Sequence, residues 1–255
     1  MAQIAAIYRY PVKGLTPEPL TSVKLAAGTT LPADRRYAIE NGPSGFDPAA
    51  PAHFPKIRFL MLMKNERLAK LTTTYDDATE TLTISEGGRE VARGDLRTAD
   101  GRAAIERFFS NYCADELRGP PKILQAHGHS FTDFPQKAVS VINLASVAAL
   151  ETAIGAPVDP LRFRANIYVN DWPAWREFEW LDQVLAIGPN VRARVIKRIV
   201  RCAATNVDPT AGVRDLSIPE TLMRVYGHQD CGIYLDIIAG GMISAGDHVD
   251  LMRTG

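Results

Sequence analysis

Apolar residues in this chain come in short runs, and most of those runs carry the period of a strand rather than of a helix. Ile4, Ala6, Tyr8 and Tyr10 alternate with their neighbours, a spacing that puts one set of side chains on one face of an extended segment. Segments 36–40, 68–73 and 80–85 are rich in Thr, Ile or Leu and are bounded by turn residues such as Asn41-Gly42 and Glu86-Gly87-Gly88. Further apolar runs follow at 138–142, 166–170, 183–187, 191–200, 232–238 and 247–252. Strands this short, punctuated by glycine and proline, predict a mainly β fold built of barrels or sandwiches rather than a doubly wound sheet.

Three helices are expected among the strands. Residues 102–113 gather Ala104, Ile105, Phe108, Phe109 and Tyr112 on one face, and 144–154 gather Leu144, Val147, Ala148, Glu151 and Ile154, with Gly155 as the stop. Near residue 218, Ser217-Ile218-Pro219-Glu220 has the pattern of a capping box, and Gly227 that of a terminator. Segment 41–56 holds four prolines and reads as a surface loop. Gly119-Pro120-Pro121 is the best boundary, dividing the chain into 1–118 and 119–255.

With 29 basic and 29 acidic residues, no global field draws the chain to nucleic acid or to an anionic membrane, so any attraction to an anion must be local. The first residues lack a basic segment followed by an apolar one, so no secretory signal is expected. No run approaches the roughly 18 apolar residues of a membrane span. Cys113, Cys202 and Cys231 are odd in number, far apart and form no C-x-x-C pair, which argues against a zinc cage or a dithiol centre. A reducing cytoplasm is the simplest setting.

Cys202 ends an arginine-rich strand and opens the loop Ala203-Ala204-Thr205-Asn206-Val207-Asp208-Pro209-Thr210-Ala211-Gly212. A thiol beside fixed positive charge can be held as thiolate, which is both nucleophile and soft-metal ligand. The plainer reading is a buried cysteine acting as a small hydrophobe, although Arg201 and the polar loop are poor core material. Along 191–202, Val191, Ala193 and Val195 face one way and Arg192 and Arg194 the other, and the phase slips near Val195-Ile196, where a bulge is expected. Lys13, Arg35 and Arg164 sit at other strand ends; their converging on one cleft would suit a phosphorylated ligand, while each alone reads as a surface charge.

Other groups favour ordinary roles. His127-Gly128-His129 is a weak metal signal in a glycine-containing loop. Cys202 or Cys231 with His228 lacks any local nucleophile signature. Trp172, Trp175 and Trp180 suit core packing better than a ligand wall. Neither a Walker loop nor a G-x-G-x-x-G is present.

Together, Tyr10-Pro11-Val12-Lys13-Gly14, Asp34-Arg35-Arg36-Tyr37-Ala38-Ile39, Phe131-Thr132-Asp133, Val141-Ile142-Asn143-Leu144-Ala145-Ser146-Val147 and Arg162-Phe163-Arg164-Ala165-Asn166-Ile167 resemble the MOSC family. The most specific part is Arg201-Cys202, five residues, then Asp208-Pro209-Thr210-Ala211-Gly212; Gly240 to Val249 resembles the family's closing strands. The type resembled has an N-terminal β-barrel half before the MOSC β-barrel domain, as in the amidoxime-reducing components and their bacterial relatives.

The resemblance implies a molybdenum cofactor, a metallopterin, with Cys202 as a molybdenum ligand. Lys13, Arg35, Asn143, Arg164, Asn166 and Arg201 would hold the cofactor, and the Asp208-Pro209 turn would fix the loop after the ligand. Relatives usually carry Ser where this chain has Gly14, and often Ser where it has Asn143. The implied activity is reduction of N-hydroxylated compounds or related N- or S-oxides. A separate electron-transfer protein is expected as partner, since no Fe–S, flavin or haem motif is seen. The alternative is a carrier that holds the cofactor, or sulfur as a persulfide on Cys202, without turnover.

Overall fold

A computed structural model describes residues 2–252. It contains β1 (Gln3–Arg9), β2 (Glu18–Leu20), β3 (Ser22–Leu25), β4 (Ala38–Glu40), β5 (Leu71–Asp76), β6 (Thr81–Glu86) and β7 (Arg89–Asp95), followed by helix α1 (Ala99–Tyr112) and β8 (Lys122–Leu124). Strand β9 (Val139–Asn143) leads into α2 (Leu144–Ile154), then β10 (Ile167–Asn170), β11 (Val184–Ile187) and β12 (Val191–Val200). Helix α3 (Ile218–Tyr226) precedes β13 (Asp230–Ala239), β14 (Gly241–Ser244) and β15 (Val249–Leu251). The expected mainly β fold with a few short helices is what forms.

The largest sheet has the order β15-β11-β12-β13-β9-β10-β1-β2, antiparallel except for β9 and β10. It curls until the β15 edge reaches the start of β1: Gln3 bridges His248, and Val249 N donates to Ala2 O over 3.0 Å. Closure satisfies strand edges that would otherwise stay open. Its interior is apolar, with Ile7, Val141, Ile167, Leu185, Val195 and Leu235 all buried. Trp172 and Trp180 meet edge to face at 4.8 Å in the same core, so these tryptophans are packing residues.

A second core joins the β5-β6-β7 sheet to α1 through Tyr75, Leu82, Ile84, Ile105 and Phe109. A third lies outside the barrel, where α2 and α3 cover Ile142 and Tyr168. Three strand pairings cross residue 118: β1 with β10, β3 with β14, and β4 with β8.

Two local expectations are corrected. Alternation from Ile4 to Tyr10 does not hold, because the register shifts between Ile4 and Ala6. Ile4 and Ile7 therefore enter the barrel, while Ala6 and Tyr8 pack on the helical side. Nor does Ser217 cap α3 with its side chain; Ile218 N donates instead to Asn206 Oδ1 at 2.9 Å. The slip in β12 is real, with the register shifting between Val195 and Lys197. Both helix stops hold, with Gly155 and Gly227 left-handed at φ 76° and 74°.

Candidate active site

One cleft of ≈ 280 Å³ opens between the barrel and the loops that join it to the second core. Cys202, Lys13, Arg35, Arg164, Asn166 and Arg201 all line it. The chain delivers them from four separate places: the turns after β1 and before β4, the segment before β10, and the end of β12. Convergence of the strand-end cations, which spacing alone could not show, is thus present. Among the described residues, eight basic side chains and two carboxylates line this cleft, with Arg162 paired to Asp215 and Asp208 beside it, in a chain of zero net charge.

Behind the cleft wall, Tyr10 is fully buried against two guanidinium groups, with Arg35 Cζ 4.2 Å and Arg164 Cζ 4.3 Å from its ring centre. Both arginines hold a left-handed backbone, at φ 49° and 52°. A residue with a Cβ is strained there, and such strain concentrates at functional positions. Arg35 is neutralised by Asp34 at 2.7 Å and also donates to Arg164 O. Arg164 donates to Leu15 O at 2.8 Å and has no carboxylate partner among the described residues. Burial, with the nearby Arg35 charge added, lowers its pKa to about 10. An anion in front of it would reverse that penalty.

At the rim, Cys202 is half-buried. Lys56 Nζ donates to its Sγ at 3.1 Å. Lys56 also lies 3.5 Å from Asp133, and Asp133 pairs with Lys13. Desolvation in the cleft pushes the Asp133 carboxyl up, but the two ammonium groups outweigh it and hold it well below the usual carboxylate range. Burial works against the charge of Lys56 as well; Asp133 and the Cys202 sulfur overcome it and raise the lysine pKa. Lys13 goes the other way, lowered by burial despite Asp133. Phe134 and Tyr234 complete the rim as a stacked pair 4.9 Å apart, with Lys197 Nζ 5.3 Å from the Phe134 ring centre.

Lys56 and Asp133 escaped the sequence reading as site residues. Lys56 lies in the proline-rich segment, which is a loop with its stem closed by Asn41 N to Arg58 O at 2.9 Å. Phe46 and Phe54 fold back on one another and onto Phe131, which aims the loop's end at the cleft. Asp133 was visible only as part of Phe131-Thr132-Asp133.

Four residues do less than their positions promised. Asn143 is not at the cleft: it is fully buried, caps α2 by accepting from Ala145 N, and donates to Glu177 at 2.7 Å. An asparagine just before an apolar helix has an N-cap role open to it, and the structure uses it. Asp208 also lies off the cleft wall; its Oδ1 accepts from Thr210 N and Ala211 N, which ties down the loop after Cys202. Arg201 and Asn166 do face the cleft, yet their polar atoms are engaged. Arg201 donates to Phe163 O and Cys231 O, and Asn166 binds Ser140 and Tyr8. His129 is part of the Phe46–Phe131 aromatic cluster, His228 accepts from Asp230 N, and among the described residues the hydrogen bond to Cys202 Sγ comes from Lys56, not from a histidine.

The donor set decides what metal chemistry could exist here. Among the described residues no three His, Cys, Asp or Glu side chains come together to hold a metal ion. A metal at Cys202 would therefore take its other ligands from an organic group that brings its own donors. The deep, unneutralised cation suits an anionic tail on that group. The residues present fit a metallopterin of the kind expected.

The family model "MOSC domain" matches residues 125–250, and "MOSC N-terminal beta barrel domain" matches residues 1–115. The chain belongs to the MOSC family, in its form with an N-terminal β-barrel domain. Among curated relatives, the "Mitochondrial amidoxime reducing component 2" of Bos taurus is 33% identical over 123 residues, 44% of this chain and 36% of that protein. The match thus spans little more than a third of that relative's length. Among solved structures, the YUAD protein of Bacillus subtilis aligns over 97% of this chain and 93% of its own, at 11% identity and TM-score 0.45. YiiM from Geobacillus stearothermophilus aligns over 45% of this chain and 54% of its own, at 16% identity and TM-score 0.36. No helix among the described residues is long and apolar enough to cross a membrane.

Proposed function

We propose that this protein is a molybdenum-cofactor-dependent reductase of N-hydroxylated compounds or related N- or S-oxides. The observation that carries the reading is the half-buried sulfur of Cys202 at the mouth of a cleft whose walls are overwhelmingly cationic. Family membership and the likeness to an amidoxime reducing component support it.

In this reading Cys202 Sγ supplies the protein's ligand to the metal, and Arg35, Arg164 and Lys13 hold the anionic and polar parts of the cofactor. Arg201 and Asn166 shape the wall through bonds they already make, and Asp208 fixes the loop behind the ligand. When bound, the metallopterin supplies two-electron chemistry and a site for the substrate oxygen. The chain's own contribution is orientation and protons. Lys56 holds a proton on Nζ beside Sγ, and the Asp133 carboxylate between Lys13 and Lys56 keeps that ammonium in place. Electrons come from a separate carrier protein, and the cytoplasm is the proposed compartment.

Protein purified from a cofactor-producing host should reduce a panel of hydroxylamines and amidoximes when supplied with an artificial electron donor. No turnover by molybdenum-loaded protein would remove this substrate class. Direct oxidation of a reduced nicotinamide at a comparable rate would remove the separate carrier.

A further inference from the structure

The cations of the cleft form two sets at different depths. The inner set, Arg35 and Arg164, flanks Tyr10. Among the outer residues, Lys56 stands beside Cys202 and Lys197 beside the Phe134–Tyr234 stack. Their charge is poorly balanced. Lys56 reaches Asp133 at 3.5 Å, but that carboxylate is already paired more tightly with Lys13, and Lys197 forms no ion pair among the described residues. The proposed cofactor accounts for the inner set; of the outer one, Lys56 already holds a proton beside Sγ, and neither lysine has an anionic partner of its own.

We propose that Lys56 and Lys197 are specificity residues that select N-hydroxylated substrates carrying an anionic group. This rests on the reductase reading of the same site and names its substrate class. A carboxylate or a phosphate meets the same requirement, an acceptor of charge-assisted hydrogen bonds from ammonium groups. The stacked Phe134 and Tyr234 rings, which line the cleft beside Lys197, offer apolar surface for the body of such a molecule. A neutral or cationic analogue gains nothing from Lys197 and is repelled or ignored by Lys56.

The test uses full-length protein from a cofactor-producing host and three matched aryl amidoximes bearing a carboxamide, a carboxylate or a phosphonate at the para position. Calorimetric titration should give the anionic compounds a Kd at least about tenfold below that of the carboxamide, the scale of one charge-assisted contact. The Lys56→Gln/Lys197→Gln double variant should erase that difference. Comparing carboxylate with phosphonate identifies which anion is preferred. Equal affinity for neutral and anionic compounds, or a preference that survives in the double variant, overturns the inference. Turnover of the same three compounds is read separately: binding selectivity without reduction of any of them overturns the reductase reading instead.

Discussion

Asp133 holds two ammonium groups near the sulfur of Cys202, and its charge state sets a pH signature. Its folded carboxyl titrates below its unfolded value, so its stabilisation is complete above about pH 4 and is lost as pH falls through the lower folded value. In urea denaturation, the stability gap between wild type and Asp133→Asn should stay level from about pH 8 to about pH 5 and close in stronger acid. A gap that widens on acidification contradicts the assignment. Gly14 makes a second residue-scale prediction. It adopts φ 85°, and a Cβ there would lie 2.9 Å from Leu60 O. Restoring the family's usual side chain with Gly14→Ser should therefore cost about 1–3 kcal/mol rather than improve cofactor binding. A variant as stable as wild type would show that the backbone can relax.

Strand β12 shows how far element structure was readable. Its alternation of Val191, Ala193 and Val195 against Arg192 and Arg194, and the slip after Val195, all appear in the folded ladder. Strands β2, β3, β8 and β14 are three or four residues long, too short for a period to show. Strand β7 is mostly exposed and polar, so nothing in its sequence distinguishes it from a loop. The cleft was legible in the same measure. Cations at strand ends could be named, because a strand end fixes where its residue emerges; Lys56 could not, because a long loop leads back to the barrel only through the Phe46, Phe54 and Phe131 contacts. Asn143 was misplaced because the motif around it outweighed the helix cap its position offered. Where β12 and β13 form the barrel wall, Leu235 pairs with Val195 and is fully buried. Leu235→Ala should cost about 2–5 kcal/mol in chemical denaturation; a loss under about 1 kcal/mol would mean that the interior is not packed as described.

Across the whole molecule, charge is balanced in number and uneven in place. Eight basic groups face one cleft while the chain sums to zero, so the folded protein carries a local demand for an anion. A ligand that binds only the folded state stabilises it by mass action. Cofactor-loaded protein should therefore melt higher than protein from a host unable to make the cofactor, and Arg164→Met should shrink that difference. Equal melting of the two preparations would mean that the cleft does not hold the group. Most direct is metal analysis joined to the absorption spectrum of protein from a cofactor-producing host, wild type against Cys202→Ala. Near-stoichiometric molybdenum with a sulfur-to-metal charge-transfer band in wild type, lost or shifted in the variant, is the predicted result. An identical metal content and spectrum in Cys202→Ala would contradict the claim that this sulfur is the ligand.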